Sequence, residues 1–384
     1  MKRIIIIGGG IAGLSAAQAA RETDPEARIH LICEEKTLPY YRLRICELFS
    51  GADAAKLAVH NHQWFTSNNI EVLMSKATSI NSAQKQVIFA DGSYLFYDKL
   101  IIATGAKGNV PEAEGNDRAN VRALRFLSDV EHINNIPGPA VIVGDGLLGL
   151  EAAWHLSRGG RDVVIIGRGD RLLPRQLDKE GSIFFLRLVE TAGIRVALNG
   201  DLEYINDEKA GLKDGRSFEA KVVVFAAGIK SVYNLGQALD LQCGRAIMVD
   251  DHMRTSLDDV YAAGDCAEYE GRTIGLWTVS MAQGSVAGAN AAGGDKAYQP
   301  VTPSYTMNAM GTKIWSLGKL DAEDVMRHAD AKAGNFAKFF FEDDILLGAE
   351  LLGDILPMTK IKKAIDSQAS KAEARELFDN LYKK

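Results

Sequence analysis

An apolar strand that stops abruptly in glycine constrains this chain more than any other feature. Residues Arg3 to Ile7 form a β-branched apolar run, Gly8-Gly9-Gly10 follows at once, and Ile11-Ala12-Gly13-Leu14-Ser15-Ala16-Ala17 is small and helix-compatible. That order predicts a buried strand, a tight turn and a helix. Polar residues from Glu22 to Glu26 punctuate the chain before a second strand, Arg28 to Cys33, which completes a βαβ unit and implies a parallel sheet. Gly8, Gly10 and Gly13 have the spacing GxGxxG. The first glycine permits the turn, the second lets a diphosphate approach the main chain, and the third lets helix and strand pack closely. The diphosphate then meets the positive end of the helix, where the amides of Ile11 and Ala12 lie. An acid beyond the second strand holds the adenosine ribose in such units. Glu34 and Glu35 follow Cys33, and Glu34 is the first choice.

The same pattern is written a second time. Ala140 to Val143 leads into Gly144, Gly146 and Gly149, with Leu147 and Leu148 opening a helix that runs through His155 and Leu156, and Asp162 to Ile166 is the next strand. Glu151 stands two residues after the third glycine. The strand now runs into Gly167-Arg168, and the ribose carboxylate is missing. Without it nothing repels a 2′-phosphate, and Arg168 or Arg171 would attract one, so both NADH and NADPH stay open as the nucleotide of this unit. Short strands are expected at Ser79 to Phe89 and Tyr94 to Tyr97, and again around Leu212 to Phe218 and Lys221 to Phe225, so the duplication extends to a meander. From Tyr298 the grammar changes: Phe336 to Phe341 and Ile345 to Leu352 read as strands, and a Lys-rich helix is expected from Thr359 to the end. The fold class is therefore α/β, with two Rossmann-like dinucleotide-binding domains and a small α+β C-terminal domain. The expected division is 1–109 and 243–298 for the first nucleotide domain, 110–242 for the second, and 299–384 for the cap.

Composition narrows the function. The formal charge of −6 argues against a nucleic-acid partner, whose phosphates demand a basic surface. No apolar run is long enough to span a bilayer. The basic, apolar start imitates a signal peptide, but the glycines that interrupt it belong to the turn. Cys33, Cys46, Cys243 and Cys266 contain no CxxC, which fits a reducing cytoplasm better than a disulfide scaffold. His60-Asn61-His62 lacks further ligands, so no metal is expected, and no GxSxG elbow is present.

Two more segments, Tyr97 to Ala106 with Thr104 and Gly105, and Thr255 to Asp265 with Gly264 and Asp265, join the doubled GxGxxG in an order that resembles the FAD-dependent pyridine nucleotide-disulfide oxidoreductase superfamily, the flavoproteins related to glutathione reductase. The resemblance implies FAD on the first unit, NAD(P)H on the second, and Asp265 on the ribityl chain of FAD. Leu38-Pro39-Tyr40-Tyr41-Arg42-Leu43-Arg44, Arg175 to Gly181 and Lys362 to Ser367 resemble NADH:rubredoxin oxidoreductases, with Leu43 where a proline is usual. That implies NADH as donor and a small acidic electron-carrier protein, rubredoxin-like, as partner. By the same resemblance Arg42 joins the FAD site, Trp277 lies near the flavin ring at the start of a helix, and Glu151 contacts the nicotinamide amide. Cys46 reads as a buried structural thiol, because Arg44 to Leu48 departs from the cysteine segment of the thiol-using relatives; the alternative is that Arg44 lowers its pKa and an NADH oxidase, a peroxidase or a coenzyme A disulfide reductase-like enzyme uses it. A non-catalytic NAD(H) redox sensor is the alternative from another class. Arg42, Arg44, Lys313, Lys360, Lys362 and Lys363 are candidates for a basic docking rim. Nothing in the sequence fixes the number of copies in the assembly.

Overall fold

The computed structural model describes residues 1–382. Two segments repeat one arrangement: β1 (Arg3–Ile7), α1 (Ile11–Thr23) and β2 (Arg28–Ile32), then β3 (Ala140–Val143), α2 (Leu147–Arg158) and β4 (Val163–Ile166). Two further helices position the sites, α3 (Lys179–Thr191) and α4 (Trp277–Ala292). The chain divides into two compact units, one of residues 1–45, 53–107 and 229–301, the other of 46–52, 108–228 and 302–384.

In the first unit β1 lies inside a five-stranded sheet ordered Val260–Ala262, Lys99–Ile102, β1, β2, Ile70–Leu73, and all four pairings are parallel. Isoleucine suits β1 because both faces of the sheet are covered. Ile4 and Ile6 pack with Ala12, Ala16 and Val286, whereas Ile5 and Ile7 pack with Val87, Phe89 and Leu235. Helices α1 and α4 approach closely enough that a Cβ on Gly284 would lie 2.1 Å from the Ala12 carbonyl oxygen, and one on Gly288 would lie 2.0 Å from that of Ala16. The meander of this unit is three antiparallel strands, Ala77–Asn81, Gln86–Phe89 and Tyr94–Phe96. The expected strand from Ser79 to Phe89 is thus a hairpin, turned at residues 82–85 where Lys85 takes φ +51°.

The second unit repeats the sheet in the order Arg195–Ala197, β4, β3, Val222–Phe225, Val121–Ala123, again parallel throughout, and a meander of Leu202–Ile205, Lys209–Leu212 and Ser217–Glu219 covers one face. Its C-terminal portion is a five-stranded antiparallel sheet, ordered Ser304–Ala309, Thr312–Gly318, Ile345–Leu352, Asn335–Glu342, Asp324–Asp330. Sequence reading found two of the three interior strands, whose long apolar runs are each broken by one charged residue, and missed the shorter interior strand Thr312–Gly318, interrupted by Lys313 and Ser316, and both edge strands, which carry exposed polar residues. Ser316, Glu350, Lys338 and Arg327 are register partners in a row across this sheet. The row grips the start of α3: the amide of Asp178 donates to Glu350 (2.8 Å), Lys338 Nζ bonds Asp178 (2.6 Å), and Arg327 pairs with Glu180.

The expected terminal helix is two helices, Met358–Asp366 and Lys371–Tyr382. Gln368 adopts φ +54°, Ala369 accepts a hydrogen bond from Leu346 N (2.9 Å), and Ser370 pairs with Glu373 to start the second helix. Local capping and strand contact together break a pattern that composition left continuous. Residues 383–384 of the expected helix lie outside the described residues. Among the described residues no helix is long and apolar enough to cross a membrane.

Candidate functional site

Both glycine turns are built alike. Gly8 takes φ +127° and Gly144 φ +143°, values that a side chain resists. A Cβ on Gly13 would lie 1.9 Å from the Gly8 carbonyl oxygen, and one on Gly149 would lie 2.2 Å from that of Gly144, so helix and turn touch backbone to backbone. In front of each helix the space is open: a Cβ on Gly10 or Gly146 would meet nothing within 4 Å. These two glycines are the N-caps of α1 and α2, and neither helix has a side-chain cap. The first amides of both helices, including those of Ile11 and Ala12, and of Leu147 and Leu148, are therefore available to an anion.

Around the first turn the structure gathers most of the expected residues. Gly264 takes φ +80°, and its Cβ position lies 2.8 Å from the Ala12 side chain, which brings the Gly264-Asp265 turn against the start of α1. The Gly264 amide donates to Gln283 (2.9 Å), and Ser280 donates to Asp265 (3.1 Å), so α4 fixes this turn. Thr104 donates to the Val232 carbonyl (2.5 Å), while Gly105, at φ +69°, has open space before it. Glu34 is exposed and pairs with Lys76 (2.6 Å). Glu35 is engaged at both oxygens, by Tyr40 and by Arg42, each at 2.6 Å. Arg42 also lies 4.7 Å over the Tyr40 ring. It is thus an interior, paired guanidinium rather than the solvated rim charge expected for docking; Arg44, Lys313, Lys360 and Lys363 are exposed, and Lys362 pairs with Asp366 (2.8 Å). Trp277 opens α4, stacked on Tyr41 with ring centroids 5.6 Å apart, and this helix too starts without a side-chain cap.

In the second unit Glu151 sits in the first turns of α2. Burial, assisted by Glu47, pushes its carboxyl up to about 8, so it holds a proton at neutral pH. Cys46 is buried beside these two acids, and its thiol is driven well above the ordinary range by burial, then by Glu151 and Glu47. Of the two sequence readings of Cys46, the buried thiol is the one this environment supports: without solvent and beside Glu151 and Glu47, it resists ionisation. All four cysteines are free and all have thiols raised by burial, Cys33 to about 12. Arg168 is exposed at the end of β4.

Sequence reasoning passed over three contributors. Tyr40 was quoted only as part of a segment, and its bond to Glu35 is visible only once the loop is folded. Gln283 reaches Gly264 across 19 positions. Asp145 stands inside the second glycine motif, and its carboxylate lies over Gly167: a Cβ there would be 2.9 Å from Oδ2. An acid where the first motif has Gly9 was the available signal.

Comparison with known proteins agrees with this geometry. Residues 2–284 match the family described as pyridine nucleotide-disulphide oxidoreductase, and residues 303–369 match the rubredoxin NAD+ reductase C-terminal domain. The chain is 32% identical over 388 residues to the NADH-rubredoxin oxidoreductase of Clostridium acetobutylicum, covering 99% of this chain and 96% of that one. The crystal structure of NADH:rubredoxin oxidoreductase from the same organism superimposes with a TM-score of 0.80 at 31% identity, covering 96% of each chain. A longer relative, the assimilatory nitrate reductase electron transfer subunit of Bacillus subtilis, is 29% identical over 367 residues, which span 92% of this chain and 48% of that protein. Membership of this family implies use of a flavin and of NAD(H). The chain belongs to the pyridine nucleotide-disulphide oxidoreductase family and is an oxidoreductase homologous to NADH-rubredoxin oxidoreductase.

Proposed function

We propose that this chain takes hydride from NADH with the help of bound FAD and delivers the electrons one at a time to a small acidic iron protein of the rubredoxin type. The observation that carries the reading is the pairing of two open, uncapped helix starts behind glycine turns with four cysteines whose thiols are all raised by burial. The first suits two dinucleotides; the second gives no cysteine an environment that favours its ionised form, which favours a carrier protein over a disulfide or peroxide acceptor. A bound flavin supplies the conversion between two-electron and one-electron chemistry.

The residues of the first unit fit FAD. Gly8, Gly10, Gly13, Ile11 and Ala12 would take the diphosphate, and Arg42 would stand beside it, held by Glu35. Glu35 has both oxygens occupied, so Glu34, which keeps a free oxygen, is the acid for the adenosine ribose. Asp265 would accept from a ribityl hydroxyl, Thr104 and Gly105 would line the approach, and the start of α4 at Trp277 would favour negative charge on the ring. In the second unit Gly144, Gly146, Gly149, Leu147 and Leu148 would hold the NADH diphosphate. The protonated Glu151 can donate a hydrogen bond to the carboxamide of nicotinamide, a role an ionised acid could not fill. We retain the division into 1–109 with 243–298, 110–242 and 299–384 as the proposed functional domains.

Anaerobic stopped-flow tests the reading. The flavin-loaded protein, reduced with one equivalent of NADH, is mixed with oxidised rubredoxin or with aerated buffer. Reoxidation by rubredoxin should far outpace reoxidation by oxygen and should survive Cys46→Ser. The reverse order, with loss of turnover in Cys46→Ser, would replace the carrier reading with an oxidase or peroxidase.

A further inference from the structure

The two turns can be superposed hydrogen bond by hydrogen bond. Gly8 N donates to Ile32 O and Gly144 N to Ile166 O, both at 2.9 Å; Cys33 N donates to Leu73 O at 2.8 Å, and Gly167 N to Ala197 O at 3.0 Å. Cys33 therefore corresponds to Gly167, Glu34 to Arg168 and Gly9 to Asp145. At the first turn the side chain comes from the strand end: a Cβ on Gly9 would lie 2.4 Å from Cys33 Sγ. At the second turn the exchange is reversed. Gly167 has no side chain, and Asp145 fills the same gap from the opposite wall, with its Oδ2 2.9 Å from where a Gly167 Cβ would stand.

That gap, filled by the Cys33 thiol in the first unit, adjoins the position of Glu34, the acid proposed for the ribose there, so a carboxylate in it stands at the strand end where the ribose of a nucleotide on α2 is met. Leu173 N donates to the Asp145 carbonyl (2.9 Å) and fixes the residue. The Asp145 carboxylate itself makes no hydrogen bond or ion pair with any described residue, and it is half-buried. Arg168, at the position of Glu34, is exposed and likewise without an ion pair among the described residues.

We infer that Asp145 supplies the carboxylate that the end of β4 lacks, binds the 2′- and 3′-hydroxyls of the adenosine ribose, and makes the second unit select NADH over NADPH. A carboxylate on the turn accepts from the vicinal diol and repels a 2′-phosphate. Arg168, one residue farther and turned to solvent, supplies a compensating charge only when Asp145 is removed. This inference rests on the reading that the second unit binds a pyridine nucleotide.

Isothermal titration of the flavin-loaded protein with ADP-ribose and with 2′-phospho-ADP-ribose tests it without any electron transfer. The wild type should bind ADP-ribose at least about tenfold tighter than the 2′-phosphorylated probe. Asp145→Ala should weaken ADP-ribose by about tenfold and tighten 2′-phospho-ADP-ribose, bringing the ratio near unity or reversing it. Adding Arg168→Ala to that variant should weaken the phosphorylated probe again. Asp145→Asn, which preserves shape and an acceptor oxygen, should keep part of the ADP-ribose affinity while losing the discrimination; it carries the test if the alanine variant does not fold. An unchanged ratio in both Asp145 variants, or a wild type that prefers the phosphorylated probe, overturns the inference. A folded wild type that binds neither probe overturns instead the reading of the second unit, and the inference with it.

Discussion

The two glycine turns share a backbone and differ in what surrounds it. Both first glycines have left-handed φ, both third glycines touch the first carbonyl, and both second glycines face open space. The backbone solution to holding a diphosphate is thus used twice without change. What differs is the wall next to the turn: Cys33 and Glu34 from the strand end in one unit, Asp145 from the turn and Arg168 from the strand end in the other. The repeated part suits one class of ligand, and the varied part is where the inferred selection between members of that class would be made.

The strongest way to break this comparison is to close each turn in turn. Gly13→Val and Gly149→Val each force side-chain atoms into a carbonyl, at a cost of about 1–3 kcal/mol. Gly13→Val should yield protein that purifies without flavin. Gly149→Val should keep its flavin, read from the visible spectrum, and no longer be reduced by NADH. The opposite pattern would exchange the two assignments.

A smaller effect sharpens the difference between the walls. Gly167→Ala places a methyl 2.9 Å from Asp145 Oδ2 and 3.0 Å from a Leu198 methyl. In a double-mutant cycle with Asp145→Gly, measured by urea denaturation, the two changes should couple by about 1 kcal/mol, with Gly167→Ala better tolerated once Asp145 is gone. Strict additivity would show that the two residues do not share the gap.

A third test, read against pH, concerns Glu151. Its carboxyl titrates near 8 when folded against an ordinary value of 4.5, so the folded protein holds a proton that the unfolded chain has released. Stability from this group is full below the ordinary value and is lost as pH rises through about 8. Glu151→Gln removes that dependence. Its melting temperature should gain on the wild type between about pH 5 and pH 9, with little difference at the acid end. A constant offset across that range would show that Glu151 ionises normally.

Much of this was legible in residues alone. The β-branched runs ending in glycine give strand, turn and helix because local sterics and burial on both sheet faces act in the same direction. The Gly264-Asp265 turn was visible as a motif, and the structure brings it to the first glycine turn as expected. The choice between the two readings of Cys46 was not legible locally: Arg44 is near in sequence, whereas the thiol is raised by desolvation and by Glu151, more than one hundred positions away. Arg42 was read both as an FAD-site residue and as a docking-rim charge, and here too the choice was not legible locally: its partners, Glu35 and Tyr40, are fixed by the fold of the loop.

The sequence by itself determined two nucleotide-binding turns, their order and the family to which they belong, because a glycine requirement is a property of the local backbone. Only the tertiary structure decided which carboxylate faces which glycine, which acid keeps its proton and which thiols are silenced. Those properties depend on distance and solvent exclusion between residues far apart in the chain. No local pattern encodes that Asp145 and Gly167 meet.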